Sequence, residues 1–564
     1  MTTCIVTFGH VFYAAETDHW CSVLPDANCS SWPEFQDNCT DVKKSIFLPP
    51  PASNDSKYPH SSCDQWDLPD GYAFDPYVPP TDVDNFTVVP CESGWMYDTS
   101  QYKTTVNSEF DLVCEKKSLP SLAQSIYFGG FLVGSLVCGS LSDWIGRKKA
   151  IFVGLIFYVI GSLVTTFSVN IYMYMAFRFL AGFGNIGTYI TIYVLVLELI
   201  GKPYRTRTAQ TISMCYIAGY FVLAPIAMHV HEWRTLCLIM ASTTIPLFVP
   251  LLFVEESVIW LVSKGKIQEA EAAIRRVAKM NGKTLPNVLF EKDDFEEAKT
   301  GSNDSAVPPS VIDLFKTPNM AVKTINMMYN WLVNSLVYYG LSQSTGDLGM
   351  NEYWAFFLSG AVEIPGKLYA MFGLDLFGRK WNLAVLELIG GVACLATIFI
   401  PIGVWRTVVS MIGKFCISVT FGTIYLYSSE LFPTPVRTAG VGICSVSSRI
   451  GGIISPLILL LGSGPSSAVF GSSAVLAGLL VFLLPETKGQ KLPQTLEEGE
   501  EIGKCRCMKS GVDIDSESLV EVNVIDKYIK DSAITLSIPA FDSKEENQSD
   551  FSQQYDADST SVDS

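Results

Sequence analysis

The sequence predicts an all-α membrane protein whose twelve spans form two six-helix halves. Three observations predict this fold: a succession of apolar stretches long enough to cross a bilayer, a charged motif that occurs twice at a fixed offset, and basic residues concentrated on one side. The chain has 564 residues and is 49% hydrophobic. Since that fraction also suits many soluble proteins, the prediction depends on how the apolar residues are distributed.

Eleven apolar stretches, each of roughly 20 residues, follow one another along the chain. They lie near 119–141, 150–169, 171–199, 208–230, 234–254, 321–342, 352–373, 381–401, 403–429, 438–461 and 466–485. A further apolar stretch at 1–16 is shorter than a full span, so we expect the first span to be truncated. This stretch lacks the basic start and the small-residue cleavage site of a signal peptide.

A charged motif occurs once in each half. Residues 142–150 read SDWIGRKKA and residues 374–381 read LDLFGRKW, and the offset between these copies also relates 198–206 to 430–438. We predict that the repeated charges form ion pairs at helix ends and gate the cytoplasmic side: Asp143, Arg147, Glu198 and Arg205, with Asp375, Arg379, Glu430 and Arg437. The alternative is that they only determine topology and cap helices.

The basic residues of the short loops assign the two sides of the membrane. They lie in 147–149, 202–207, 264–283, 379–380 and at Arg437, and the positive-inside rule makes this side cytoplasmic. Both termini and the central loop are predicted to lie on that side.

These assignments divide the chain into four parts. We predict a first half at 1–254, a central loop at 255–320 that contains a helix at 266–280, a second half at 321–485 and a tail at 486–564. The tail is acidic and rich in serine, so we expect it to be disordered.

Residues 17–118, which belong to the first half, are predicted to form an extracellular loop. They hold 17 acidic residues and six lysines, and they include six cysteines, Cys21, Cys29, Cys39, Cys63, Cys91 and Cys114. They also include four glycosylation sequons, at Asn28, Asn38, Asn54 and Asn85. Both features are typical of an oxidising, glycosylating compartment, although single sequons also occur by chance. Six cysteines allow 15 pairings, and the sequence does not choose among them.

Several motifs resemble one family of transporters. They are DHWC (18–21), SEFDLVC (108–114), VYYGLS (337–342), AVEIP (361–365), YSSELFPT (427–434), SRIGG (448–452) and LPETKG (484–489). Together they resemble the organic cation/anion/carnitine transporters of the major facilitator superfamily, over residues 8–500. Residues 186–203 and 219–225 look closest to the carnitine-type subgroup.

The chain departs from this family's pattern at several positions. Val258 and Ile259 stand where the family's Glu-Ser-Pro-Arg-Trp-Leu motif has proline and arginine, so a basic residue is lost. Lys367 replaces a residue that is usually apolar, and Ile186 stands where some cation transporters have lysine.

Two ionisable residues lie in the middle of predicted spans. An ionised side chain at membrane depth needs a partner or a water-filled cavity. Glu363 is a candidate counter-ion for a cationic substrate group, and its alternative is a structural pair with Lys367 four residues later. Arg449 is a candidate ligand for a substrate carboxylate, which the resemblance also implies, and its alternative is an interhelical pair with Glu430 or another acid.

Aromatic residues flank the expected cavity and could attract an ammonium group. The resemblance places Trp331 and Tyr338 at cavity positions, and their spacing of seven puts them on one helix face. The other candidates are Phe356, Phe357, Tyr189 and Tyr193. For any one of them, packing against lipid or neighbouring helices is the alternative.

The resemblance implies a plasma-membrane carrier of small organic cations or zwitterions that works by alternating access and symport, with a carnitine-like preference. An organic anion exchanger is one alternative, with Arg449 dominant and Glu363 neutralised by Lys367. A non-transporting membrane receptor is another, suggested by the short first span.

We expect a small organic solute and the lipid bilayer as partners, and no cofactor; the coupling ion, sodium or proton, stays open. The sequence contains no Walker loop, no histidine spacing for a metal and no basic face for nucleic acid, and nothing in it indicates an enzyme.

Overall fold

The computed structural model describes residues 1–22, 48–50, 60–67, 87–91, 93–283, 285–286, 289, 311–490 and 492–501. These residues are predominantly helical, and they also contain two small antiparallel sheets.

The helices of the first half follow the predicted spans closely. The short first span is α1 (Thr2–Phe8) and α2 (His10–Tyr13), and it is followed by α3 (Val106–Glu109), α4 (Leu119–Ile145), α5 (Arg147–Thr166), α6 (Ile171–Leu199), α7 (Lys202–His229), α8 (Trp233–Ser242) and α9 (Phe248–Phe253). Helices α8 and α9 share the sixth predicted span, and a 3-10 turn containing Pro246 separates them.

The central loop and the second half are helical as well. The central loop contains α10 (Val258–Ser263) and α11 (Ile267–Met280), which confirms the helix predicted at 266–280. The second half contains α12 (Pro318–Gln343), α13 (Glu352–Phe377), α14 (Arg379–Ala396), α15 (Val404–Leu431), α16 (Arg437–Leu459) and α17 (Ser463–Val481), and α18 (Leu496–Glu501) follows it.

Eight helical segments in the described part of the chain are long and apolar enough to cross a membrane. They are Cys114–Ile145, Arg147–Thr166, Ile171–Leu199, Arg207–His229, Trp233–Phe253, Val404–Leu431, Thr434–Leu459 and Ser463–Val481. Helices α12, α13 and α14 have comparable length but lower hydropathy, because they contain polar side chains such as Asn330, Glu363 and Glu387, which are buried. The eleven predicted stretches are therefore all helical.

The helices pack into two groups that meet along two seams. Helix α6 packs against α4 and α5, whereas α14 packs against α15 and α17 and α12 packs against α16. The groups meet where α4 contacts α16 and where α7 contacts α13.

Near the predicted outer surface, aromatic rings join the two groups. Phe12 stacks on Tyr353 with ring centroids 5.5 Å apart, and Phe8 and Phe12 both contact Phe356. Apolar packing therefore joins the two halves on this side of the protein.

Two disulfides organise the described part of the loop predicted to be extracellular. Strand β1 (His19–Cys21) pairs with β4 (Trp95–Tyr97), and β2 (Asp64–Trp66) pairs with β3 (Val88–Pro90). The disulfides join Cys21 to Cys91 and Cys63 to Cys114, a pairing that the sequence left open. Cys29 and Cys39, and the sequons at Asn28, Asn38, Asn54 and Asn85, lie outside the described residues.

The same loop contacts both halves. Glu109 of α3 accepts hydrogen bonds from Trp233 and Arg234 at the start of α8. Partial burial opposes ionisation of Glu109, but these two donors prevail and lower the pKa of its carboxyl. Tyr102 donates a hydrogen bond of 2.9 Å to Glu352 at the start of α13 in the second half.

The prediction of a disordered tail is wrong for residues 486–490 and 492–501. Helix α18 follows the second half, and Glu500 accepts hydrogen bonds from the backbone N–H groups of Asn319 and Met320 at the start of α12. This carboxylate satisfies donors that a helix N-terminus leaves free, which holds the segment in place. Residues 502–564 lie outside the described part.

Candidate functional site

The repeated charges form two matching networks at helix ends. Arg147 pairs with Asp143 one turn earlier and with Glu198 of α6 at 3.1 Å. Arg379 pairs with Asp375 at 3.4 Å and with Glu430 of α15 at 3.2 Å. Both aspartates are largely exposed, 73% and 79%, whereas the two glutamates are mostly buried. The arginine–glutamate pairs therefore carry most of the interaction energy.

Arg205 and Arg437 do not pair with the repeated acids. Arg205 donates to the carbonyl of Ile200, and Arg437 donates to the carbonyl of Phe432 and to the Thr434 hydroxyl. The contacts of the two arginines are nevertheless equivalent in the two halves. Each arginine lies near the start of a helix and donates to a carbonyl just before that helix.

Each network joins helices within one half. Arg147 and Glu198 belong to the first half, and Arg379 and Glu430 belong to the second. Among the described ion pairs, none joins the halves at this end. The networks fix helix ends within a half, and their role in gating stays a prediction.

Two further glutamates complete the networks, although our sequence analysis did not assign them a role. Glu256 accepts hydrogen bonds from the backbone N–H groups of Arg147 and Lys148, at 2.8 and 3.1 Å. Glu486 does the same for Arg379 and Lys380, at 2.9 and 3.2 Å. A carboxylate at a helix N-terminus satisfies free donors and complements the helix dipole. The two glutamates are separated by nearly the same offset as the repeated motifs, so the sequence repeat contained a signal for them.

The repeated glycines allow these carboxylates to approach. Gly146 has φ 105° and ψ 157°, and Gly378 has φ 85° and ψ 173°, a region almost restricted to glycine. A Cβ atom would lie 2.5 Å from Glu256 Oε2 at the first position and 2.6 Å from Glu486 Oε2 at the second. Glycine is therefore required at both positions.

Replacing Gly146 with alanine should destabilise the protein by about 1–3 kcal/mol, because the backbone is strained and Cβ displaces Glu256. Gly139→Ala is the matched control on the same helix, since nothing lies within 4 Å of its Cβ position. That control should be neutral or slightly stabilising. Thermal unfolding of the purified variants measures both effects, and equal midpoints would contradict the steric argument.

A buried ion pair lies in the middle of the second half. Glu363 of α13 and Lys414 of α15 are 2% and 1% exposed, and their Oε1 and Nζ atoms are 3.0 Å apart. The Tyr338 hydroxyl donates a hydrogen bond of 2.9 Å to the same carboxylate. The ammonium of Lys414 lies 3.5 Å from the centroid of the Tyr338 ring and also donates to Ser342. Our sequence analysis had not singled out Lys414.

Lys367, the sequence-based alternative partner of Glu363, contacts a different group. Its ammonium is 3.5 Å from the backbone carbonyl of Ser418 on α15. The i,i+4 spacing permits a pair with Glu363, but the ion pair described for this glutamate is to Lys414. Glu363 therefore does form a structural ion pair, but its basic partner is Lys414 of α15 and not Lys367 of its own helix.

Among the described ion pairs, none joins Arg449 of α16 to Glu430 or to another acid. Glu430 pairs with Arg379 instead, and the Nε of Arg449 is buried with no hydrogen-bond partner among the described residues. Tyr189 and Tyr339 lie close enough to Arg449 to interact with its charge. A guanidinium with a free, buried donor can bind an anion.

The candidate aromatics divide into separate groups. Trp331 donates a hydrogen bond of 2.8 Å to Ser428, and its ring contacts Tyr425. Tyr189 and Tyr193 stack on one another. Phe356 is fully buried beside Phe8, Phe12 and Tyr220, whereas Phe357 contacts Phe221 and Trp354. Tyr338 is the candidate that touches Glu363.

A cavity of about 180 Å³ lies between the halves on the predicted outer side. Its lining includes Glu16, Gln124, Gln343 and Glu352, but neither Glu363 nor Arg449. It is therefore a vestibule, separate from the buried charges.

Comparisons with known proteins agree with this geometry. The family model described as sugar (and other) transporter matches residues 87–498. The organic cation transporter protein of Drosophila melanogaster is 37% identical over 424 residues, which cover 73% of this chain and 77% of that protein. The chain belongs to this family of membrane transporters. It is accordingly a multi-pass membrane protein that carries small organic solutes and needs no cofactor.

Two other members show the chemical range of the family. The beta-alanine transporter of Drosophila melanogaster is 33% identical, covering 89% of this chain and 86% of that protein. The organic anion transporter 3 of Oryctolagus cuniculus is 33% identical, covering 87% of each chain.

A solved structure confirms the fold. The xylose transporter XylE from E. coli, in an inward-open conformation, superposes with a TM-score of 0.55 at 17% identity, covering 70% of this chain and 92% of that one. The all-α major facilitator fold predicted from the repeat is therefore correct.

Proposed function

We propose that the protein carries small zwitterions, with an ammonium group and a carboxylate, across the plasma membrane by alternating access. A carnitine-like solute has this chemistry, and so does the solute named for the beta-alanine relative. The observation that carries the proposal is Arg449, a cation in a predicted span whose buried Nε lacks a partner in the described chain. A substrate carboxylate would satisfy that donor.

The charge balance argues against simple cations as the preferred substrates. Two bases, Lys367 and Lys414, lie close enough to Glu363 to interact with its charge. Lys414 already holds Glu363 and also lies over the Tyr338 ring, so a substrate ammonium must displace Lys414 or bind to other aromatic faces. A purely cationic solute would meet excess positive charge.

Organic anion exchange is the second candidate, and the same ion pair favours it. With Glu363 neutralised by Lys414, Arg449 and Lys367 are the charges left to select a substrate. The relative named organic anion transporter 3 has this substrate class.

Uptake by cells expressing the protein tests these proposals. Carnitine, tetraethylammonium and an aromatic organic anion should be compared, with and without sodium, for the wild type and for Arg449→Gln and Arg449→Lys. We expect Arg449→Gln to lower carnitine uptake about 10- to 100-fold, since a charge-assisted hydrogen bond contributes about 1.5–3 kcal/mol. Arg449→Lys should retain part of the uptake.

The substrate panel separates the candidates. Preferred uptake of the aromatic anion, lost in Arg449→Gln, would replace the zwitterion proposal with anion exchange. Loss of every substrate class at normal surface level would show that Arg449 is structural. Surface biotinylation provides the control for expression.

A further inference from the structure

A second carboxylate is buried in the second half without a basic partner. Glu387 of α14 is 1% exposed. Its Oε1 accepts a hydrogen bond from Asn334 of α12, but its Oε2 has no partner among the described residues. No ion pair of the described chain includes Glu387, so its charge is uncompensated if the group is ionised.

The surroundings of Glu387 are short of hydrogen-bond donors. Helix α12 carries Asn326, Asn330 and Asn334 at four-residue spacing, all buried on one face. Asn330 donates to Asn326 Oδ1 at 2.8 Å, and Thr420 of α15 donates to Asn334 Oδ1 at 2.7 Å. After these bonds, Asn330 Oδ1 also lacks a partner in the described chain. Glu387 Oε2 and Asn330 Oδ1 are acceptors, whereas the buried Ser335 hydroxyl of α12, which also lacks a described partner, can donate.

The neighbouring helices provide no cation for Glu387. Helix α17 carries no ionisable side chain along Ser463–Val481. The titratable groups that face this region are Tyr329 of α12 and Cys416 of α15, which lies beside Gly390 one turn along α14. The lysines on adjacent helices are engaged elsewhere: Lys323 by the Gly499 carbonyl, Lys367 by the Ser418 carbonyl and Lys414 by Glu363. Arg406 lies in the first turn of α15.

We propose that Glu387 is a proton-binding site, and that its proton is taken up and released during transport. A proton removes a charge that is costly at membrane depth and converts one unsatisfied acceptor into a donor. Metal ions fit less well, because hard cations such as Ca²⁺ and Mg²⁺ take six or more oxygen ligands, and the described hydrogen bond of Glu387 is to the amide nitrogen of Asn334. The coupling role rests on the proposed transport function.

Helix α12 connects the two carboxylates. Asn334, which holds Glu387, lies one turn from Tyr338, which holds Glu363. A movement of α12 that alters one hydrogen bond therefore alters the other. Protonation of Glu387 and occupancy of the Glu363 region are linked through this helix.

Infrared spectroscopy of the purified full-length protein tests the proton site without transport. We expect a carboxylic-acid C=O band at pH 7 in the wild type, its loss in Glu387→Gln and its retention in the matched control Glu497→Gln, which changes an exposed acid. Identical bands in the wild type and Glu387→Gln would overturn the proposal. If sodium chloride stabilises the wild type more than choline chloride does, and Glu387→Gln shows no such difference, the site binds sodium instead of a proton.

Uptake into proteoliposomes under a pH gradient tests the coupling. With one proton per substrate, accumulation should rise up to about tenfold per pH unit in the wild type and should lose this dependence in Glu387→Gln. If the infrared band is present but the gradient has no effect on wild-type uptake, the proton is structural and coupling is refuted. If no tested solute is transported, the proposed function fails, whereas the infrared result still decides the proton site.

Discussion

Lys414→Met should destabilise the protein by about 3–5 kcal/mol, because it leaves the Glu363 carboxylate buried without its cation. The pair is 3.0 Å apart with both groups almost fully buried, so water cannot replace the lost partner. Thermal unfolding of the purified protein measures the loss. We expect this to be one of the two largest effects of a single change in the chain.

A double variant separates the charge from the packing. Glu363→Gln combined with Lys414→Met removes both charges, and Tyr338 can still donate to the glutamine oxygen. Since replacing a whole buried ion pair is often neutral, the double variant should recover most of the lost stability. If the two single losses simply add, the pair contributes no coupling energy and the two side chains act independently.

The matched charges at helix ends were predictable because the sequence repeats them. Asp143 with Arg147 and Asp375 with Arg379 are local pairs, and the offset between these pairs also relates Glu198 to Glu430. The structure brings both arginines to their glutamates. The offset could not reveal that each network stays within one half, because that depends on which helices pack together.

The partner of Glu363 was not predictable from local spacing. Lys367 has the favourable i,i+4 relation, whereas Lys414 lies in a stretch that reads as a span from 403 to 429. Tertiary packing of α13 against α15 decides the pair. The four-residue spacing of the asparagines in α12 does predict that they share one helix face. The sequence does not distinguish Glu387, because its burial and its lack of a described basic partner are visible only in the structure.

Cysteine pairing shows the same limit in the outer loop. The sequence predicts an oxidised, cysteine-rich segment but allows 15 pairings. The structure selects Cys21 with Cys91 and Cys63 with Cys114, and the strand pairs alone do not explain this choice, because the backbone of Cys91 bonds to that of Cys63, which is not its disulfide partner. Such non-local contacts leave no periodic pattern in the chain.

Arg379→Ala should lower the maximal transport rate by about tenfold or more, with little change in apparent affinity. The change leaves the mostly buried Glu430 carboxylate without its cation, at a cost of about 1–3 kcal/mol, and about 1.4 kcal/mol corresponds to a tenfold change in a rate or equilibrium. Arg379 lies at a helix end, away from Glu363, so the cost should affect the movement of helices rather than substrate contacts. Uptake kinetics at measured surface expression give both parameters.

Asp375→Ala is the matched control, since it removes the exposed partner of the same arginine. Asp375 is 79% exposed, and a pair of this kind contributes at most about 0.5 kcal/mol on a helix surface. Its rate should stay within about twofold of the wild type. Arg147→Ala and Asp143→Ala should repeat the contrast in the first half, where the arginine has the equivalent two acidic partners. A large loss of affinity in Arg379→Ala at an unchanged maximal rate would assign this arginine to substrate binding and refute its gating role.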